Sequence, residues 1–69
     1  MKLLLDEAND ALYFRLDDSA IVESEEVQPG VVLDFNDREQ VVGVEIIGIR
    51  DRISPAFLNS LQFERHTGD

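Results

Sequence analysis

The sequence contains no cysteine, a single histidine (His66), and only six lysines and arginines against fifteen aspartates and glutamates. Without cysteine there is no disulfide framework, no thiolate metal site and no sign of an oxidising compartment. With one histidine, a zinc site built from the usual nitrogen and sulfur ligands is nearly excluded. The shortage of basic residues, at a formal net charge of −9, argues against nucleic acid and anionic membrane as partners, because phosphate contact needs clustered Lys and Arg. Long apolar runs are missing too. Met1-Lys2-Leu3-Leu4-Leu5 starts as a secretory leader starts, but Asp6 and Glu7 end it. Nothing approaches the roughly 20 apolar residues of a membrane helix, so the expected location is cytoplasmic. Glycine-rich phosphate loops, low-complexity segments and convincing repeats are also lacking. From these absences no metal, no cofactor and no enzymatic activity are expected.

What is present is one domain, residues 1–69. A chain this short buries only about 60% of its unfolded surface. Small scaffolds add a staple to compensate, and with disulfides and metals set aside, oligomerisation is the one left. The chain is organised around Glu25 to Ile47. Two apolar runs, Val31–Phe35 and Val41–Ile47, flank the polar segment Asn36–Gln40, the pattern of a β-hairpin. Pro29-Gly30 precedes the first run. Proline presets the second position of a turn and glycine supplies a positive φ at the third, which predicts a type II turn.

Upstream, Lys2–Leu5 and Ala11–Leu16 flank the turn-rich Asp6–Asp10 and read as a first hairpin, residues 2–16. Leu12, Phe14 and Leu16 point one way, and Ala11, Tyr13 and Arg15 the other. Tyr13 and Arg15, on the wet face, are placed to stack or bond across strands. Ala20–Val27 is ambiguous. Its glutamates disfavour a strand by propensity, yet eight residues make a marginal helix and Pro29 crowds its end, so an edge strand carrying acidic gatekeepers is preferred. In the second hairpin, residues 31–47, Val31, Leu33 and Phe35 share a face with Val42, Val44 and Ile46. The opposite face mixes Val32, Val41 and Ile47 with Asp34 and Glu45, less cleanly polar than a solvated sheet face should be, and this excess suggests an oligomer interface. Ser54-Pro55 is a helix start, Ile53 and Leu58 are spaced for a hydrophobic staple, and the spacing of Phe57, Leu58 and Leu61 predicts a helix over 55–65. Thr67-Gly68-Asp69 reads as a fraying tail.

The residues able to carry chemistry are few. Asp6, Glu7 and Asp10 form one acidic group, and Glu23, Glu25 and Glu26 another. Paired carboxylates do acid–base work or hold calcium or magnesium, but the spacing and glycine of a calcium-binding hand are missing, and a solvated charge run is the better account. Asp34 and Glu45, on adjacent strands, would raise one another's pKa if they lay close, although Arg15, Arg50 or Arg52 could neutralise them. His66 has no serine or cysteine nucleophile placed to partner it and reads as a helix-end cation. Phe57, Leu58, Leu61 and Phe63 read as core or as a dimer contact.

Four stretches together resemble a known family: Asp10-Ala11-Leu12-Tyr13-Phe14-Arg15-Leu16, Glu25-Glu26-Val27, Pro29-Gly30-Val31-Val32-Leu33-Asp34-Phe35, and Val41-Val42-Gly43-Val44-Glu45-Ile46. In order and spacing they look like the domain of unknown function family 2283, small prokaryotic proteins, with Phe35 where tyrosine is usual. The resemblance implies a small antiparallel sheet with a helix and carries over no catalytic residues. Some members are similar to antitoxins in lying beside a short toxin-like gene.

The expectation is thus an α+β domain: an antiparallel meander of four or five strands with one C-terminal helix packed on one face. Leu12, Phe14, Leu16, Val31, Leu33, Phe35, Val42, Val44, Ile46, Phe57, Leu58 and Leu61 are expected to be buried. The functional expectation is a protein-interaction module, antitoxin-like, for a basic protein partner. The alternative is a homo-oligomeric assembly protein without catalysis.

Overall fold

A computed structural model describes residues 1–67; Gly68 and Asp69 of the expected tail lie outside the described residues. The elements are β1 (Lys2–Asp6), β2 (Ala11–Arg15), β3 (Glu23–Gln28), β4 (Val31–Phe35), β5 (Val41–Ile47), a 3₁₀ turn at Ile49–Asp51, and α1 (Pro55–Leu58). The strands form one antiparallel sheet in the order β1-β2-β5-β4-β3. The antiparallel sheet with a short C-terminal helix is therefore as expected, but the order is not a simple meander. β5, the longest strand, sits beside β2, where a meander would place β3. There it is hydrogen-bonded on both sides, while the glutamate-rich β3 takes the edge, where charge discourages pairing with a further chain.

Both hairpins form at the expected positions. At the β3–β4 turn Gly30 has φ +81°, the left-handed value a type II turn requires at its third position. Ile47 N–H donates to Gly30 O at 2.8 Å, and Arg52 Nη2 donates to Pro29 O at 3.0 Å. The ambiguous stretch 20–27 is a strand from Glu23, bonded to β4 through a bulge between Glu26 and Gln28. A second irregularity lies between Asp34 and Phe35, where Val42 is the extra residue on β5.

The register fixes what each face carries. On one face, two apolar rows cross four strands: Leu3-Phe14-Val44-Leu33, ending at Glu25, and Leu5-Leu12-Ile46-Val31. Over the β1–β2 end of this face, α1 and the chain after it border an open groove, with Phe57, Leu58 and Leu61 opposite Leu3, Leu5 and Leu12. The cover is thin. The buried apolar side chains among the described residues are Ala11, Val42 and Ile49, while Leu12, Phe14, Val31, Leu33, Phe35, Val44, Ile46 and Leu58 are only half-buried. Three residues expected inside are exposed: Leu16, Phe57 at 70% and Leu61 at 76%.

Leu16 lies one residue beyond β2, and Phe57 sits on a single helical turn beside an open groove; for Leu61 the reason is the length of the helix. The spacing predicts 55–65, but α1 stops at Leu58. Its start is as expected: Ser54 Oγ accepts from Phe57 N–H at 3.2 Å and Pro55 occupies the first turn. Its end is set by Asn59, whose side-chain amide donates to Pro55 O at 3.1 Å while its backbone N–H shares the same carbonyl at 3.3 Å. Asparagine and serine compete for backbone groups in this way and favour helix ends over helix interiors. A single turn has too few internal bonds to extend without packing, and none of the α1 residues is buried. His66 is consequently exposed in non-helical chain, eight residues beyond the helix whose end it was expected to occupy.

Candidate functional site

The sheet's other face holds the most organised set of polar side chains, and the register explains its construction. One row reads Arg15-Gly43-Asp34-Ser24 across β2, β5, β4 and β3. The next reads Leu4-Tyr13-Glu45-Val32-Glu26. Gly43, lacking a side chain, leaves a gap in the first row, and the Tyr13 phenol crosses it. Tyr13 Oη donates to Asp34 Oδ2 at 2.7 Å, and Ser24 Oγ donates to Asp34 Oδ1 at 2.6 Å. Both carboxyl oxygens of Asp34, which is only 9% exposed, are thereby satisfied without a cation. A Cβ added at Gly43 would stand 2.5 Å from Tyr13 Oη and 2.9 Å from Asp34 Oδ2, so only glycine leaves this crossing open. Burial pushes the Tyr13 phenol above its ordinary pKa; the bond from Arg15 pulls the other way, and Asp34 adds to the rise.

Arg15 closes the network toward the β2–β3 connection. Its guanidinium donates to Tyr13 Oη at 3.5 Å, to Asp17 O at 2.6 Å and to Ser19 O. Ser19 in turn donates from its hydroxyl and its backbone N–H to Asp17 Oδ2. These bonds hold the Asp17 carboxyl below its usual pKa, the Ser19 side chain being the largest cause. From the β4–β5 loop Asn36, 4% exposed, donates from Nδ2 to Ser19 Oγ at 3.3 Å and to Gln40 Oε1 at 3.0 Å, while its Oδ1 accepts from the backbone N–H of Arg38 and Gln40. Asn36 shapes the β4–β5 loop and ties it to the β2–β3 connection at once. Sequence reasoning placed it in a loop and missed its burial; the available signal was an asparagine opening a short loop directly after an apolar strand.

The other candidates from the sequence separate in space. Asp34 and Glu45 share a face, but Asp34 lies opposite Gly43 and Glu45 opposite Val32, and hydroxyls rather than a second carboxyl meet Asp34. None of the three arginines weighed as neutralising partners bonds to Asp34. Arg15 bonds as described, Arg50 goes to Asp10 and Glu7 O, and Arg52 goes to Pro29 O and Ile47 O.

The Asp6–Asp10 turn is less a solvated run than a latch. Asp10, at φ +51°, accepts Gly48 N–H and Ile49 N–H on its carbonyl and Arg50 N–H on Oδ1 at 3.1 Å, with the Arg50 guanidinium 3.6 Å away. Asp6 Oδ2 accepts from Asn9 Nδ2 at 2.8 Å, which lowers the Asp6 pKa. Glu23, Glu25 and Glu26 are exposed along β3, with Glu26 also accepting Gly30 N–H at 3.3 Å.

Chemically, the Ser24-Asp34-Tyr13-Arg15 network is saturated. Among the described residues no buried side-chain nitrogen or oxygen lacks a partner, and no three His, Asp or Glu side chains are grouped to hold a metal ion. The arrangement cross-braces four strands. No helix among the described residues is long and apolar enough to cross a membrane.

Residues 2–50 match the model of the family described as protein of unknown function (DUF2283). The match spans all five strands and every member of the polar network, and the chain belongs to that family. No curated protein and no solved structure matches.

Proposed function

We propose that this DUF2283 member is a non-catalytic protein-interaction module whose acidic surface engages a basic protein partner, in the manner of an antitoxin neutralising its toxin. The observation that carries this reading is β3. It is an edge strand, all six of its residues are exposed, and three of them are glutamates. An outer edge offers unpaired backbone groups to an incoming chain, and at a net charge of −9 the surface steers a basic partner toward it. The saturated polar network supports the non-catalytic half of the reading, because a reacting group needs free polar atoms converging on a substrate. The alternative, a structural role in a homo-oligomeric assembly, draws on the uncovered apolar face rather than on charge.

The test is co-purification with lysate of the source cell. At about 50 mM salt a basic protein is expected to be retained, and it should be lost as ionic strength rises to about 0.5 M and screening shortens to a few ångströms. Reversing Glu23, Glu25 and Glu26 to lysine should abolish retention. A chain that retains nothing at low salt contradicts the proposal.

A further inference from the structure

We infer that the apolar face of the sheet is covered by the same face of a second copy of this chain, giving a two-layer dimer. The inference stands on surface area, not on charge, so it survives or fails independently of the basic-partner reading. The accessible surface of the single chain is 5562 Å². A folded monomer of 7.8 kDa is expected to expose about 4,400 Å², so roughly 1,200 Å² is in excess. The radius of gyration, 13.6 Å with principal extents of 38 × 37 × 19 Å, likewise exceeds the about 11 Å of a compact 69-residue domain. Both departures describe a slab one sheet thick. A standard stable interface takes about 800 Å² from each partner, an area that the excess supplies.

The face has the composition for it. Two rows of four apolar residues centre on Phe14, Leu12, Val44 and Ile46, none fully buried within the chain. Leu3 and Phe57 stand exposed at the rim. Packed sheets lie about 10 Å apart with interdigitated inner faces, a spacing that side chains of this size fill. Glu25 ends one apolar row and Glu23 lies opposite Phe35, both at the β3 border. Stacking these borders would bury carboxylates, which is costly without partners. The interface is therefore centred on β2 and β5, with β1 and α1 at one rim and β3 left at the other margin, free along its outer edge.

Sedimentation equilibrium on the intact chain tests this. Over roughly 5–500 µM, a range that brackets micromolar association, the mass should rise from 7.8 kDa to twice that value and stop. Raising salt to about 1 M should leave association unchanged or strengthen it, because apolar burial is not screened. Leu3→Glu combined with Phe57→Ser should weaken association by about tenfold or more. Both side chains are exposed in the single chain, so the variant should keep the wild-type β-sheet circular dichroism. A single-chain mass throughout overturns the inference. So does a variant that still dimerises as wild type, or a larger, salt-sensitive assembly, which would point to edge pairing through β3. A monomer whose residues 59–67 are protected from hydrogen exchange also overturns it, since the chain would then cover its own face.

Discussion

At the residue scale the structure turns on one missing side chain. Gly43 opens the path by which Tyr13 reaches Asp34 over an intervening strand. Removing the hydroxyl in Tyr13→Phe strands a buried carboxyl oxygen and should cost about 1–3 kcal/mol in a denaturant titration. Gly43→Ala forces the same phenol aside and should cost a similar about 1–3 kcal/mol. Because both substitutions break one contact, the double variant should lose less than the sum by at least about 0.5 kcal/mol; simple additivity would mean that Tyr13 and Gly43 are not coupled through the crossing.

The same phenol sets the alkaline limb of stability. Its folded pKa is raised above the unfolded value of about 10, so its contribution is complete below about pH 10 and declines as pH climbs through the folded value. Tyr13→Phe should flatten that limb in urea midpoints measured from about pH 8 to 11. Asp6 and Asp17 act at the other end. Their folded pKa values are lowered, so they stabilise above about pH 4 and the effect is lost as pH falls through the lowered values. Both are solvent-facing, which makes this acid limb shallow.

At the scale of elements, what the sequence disclosed follows from how local each signal is. Val31–Phe35 and Val41–Ile47 could be read as strands because alternation is written into neighbouring residues, and Pro29-Gly30 because a turn type is set by two residues. The placement of β5 beside β2 was not legible: it depends on which strand gains most from bonding on both edges, a comparison across the whole chain. The α1 end was misjudged because apolar spacing continues to Leu61 while Asn59 captures the Pro55 carbonyl. Asp34 was legible as a neighbour of Glu45 on the mixed face, but its burial and its partners were not, since Tyr13 meets it only through the gap at Gly43. Replacing Asn59 and Ser60 together by alanine should lengthen α1, seen as increased helical ellipticity at 222 nm; unchanged ellipticity would mean that missing cover, rather than Asn59, ends the helix. Glu39 occupies the β4–β5 loop at φ +62°, a conformation costing a non-glycine residue about 1–2 kcal/mol. Glu39→Gly should therefore stabilise the protein by about 0.5–1 kcal/mol, allowing for glycine's greater unfolded-state entropy. A loss of stability would show that the Glu39 side chain contributes more than its backbone costs.

At the scale of the molecule, one sheet with two unlike faces divides the labour. The polar network is internally satisfied and braces β2, β4 and β3 across the sheet; the apolar face is left half-covered by a helix of one turn. A native state completed by association is stabilised by mass action, so its thermal midpoint should rise with chain concentration. The most direct test is an isotope-filtered nuclear Overhauser experiment on an equal mixture of ¹³C-labelled and unlabelled chains. Cross-peaks between chains are expected from the methyl groups of Leu12, Val44 and Ile46. Finding contacts to those methyls only within one chain, chiefly from residues 57–63, would contradict the dimer.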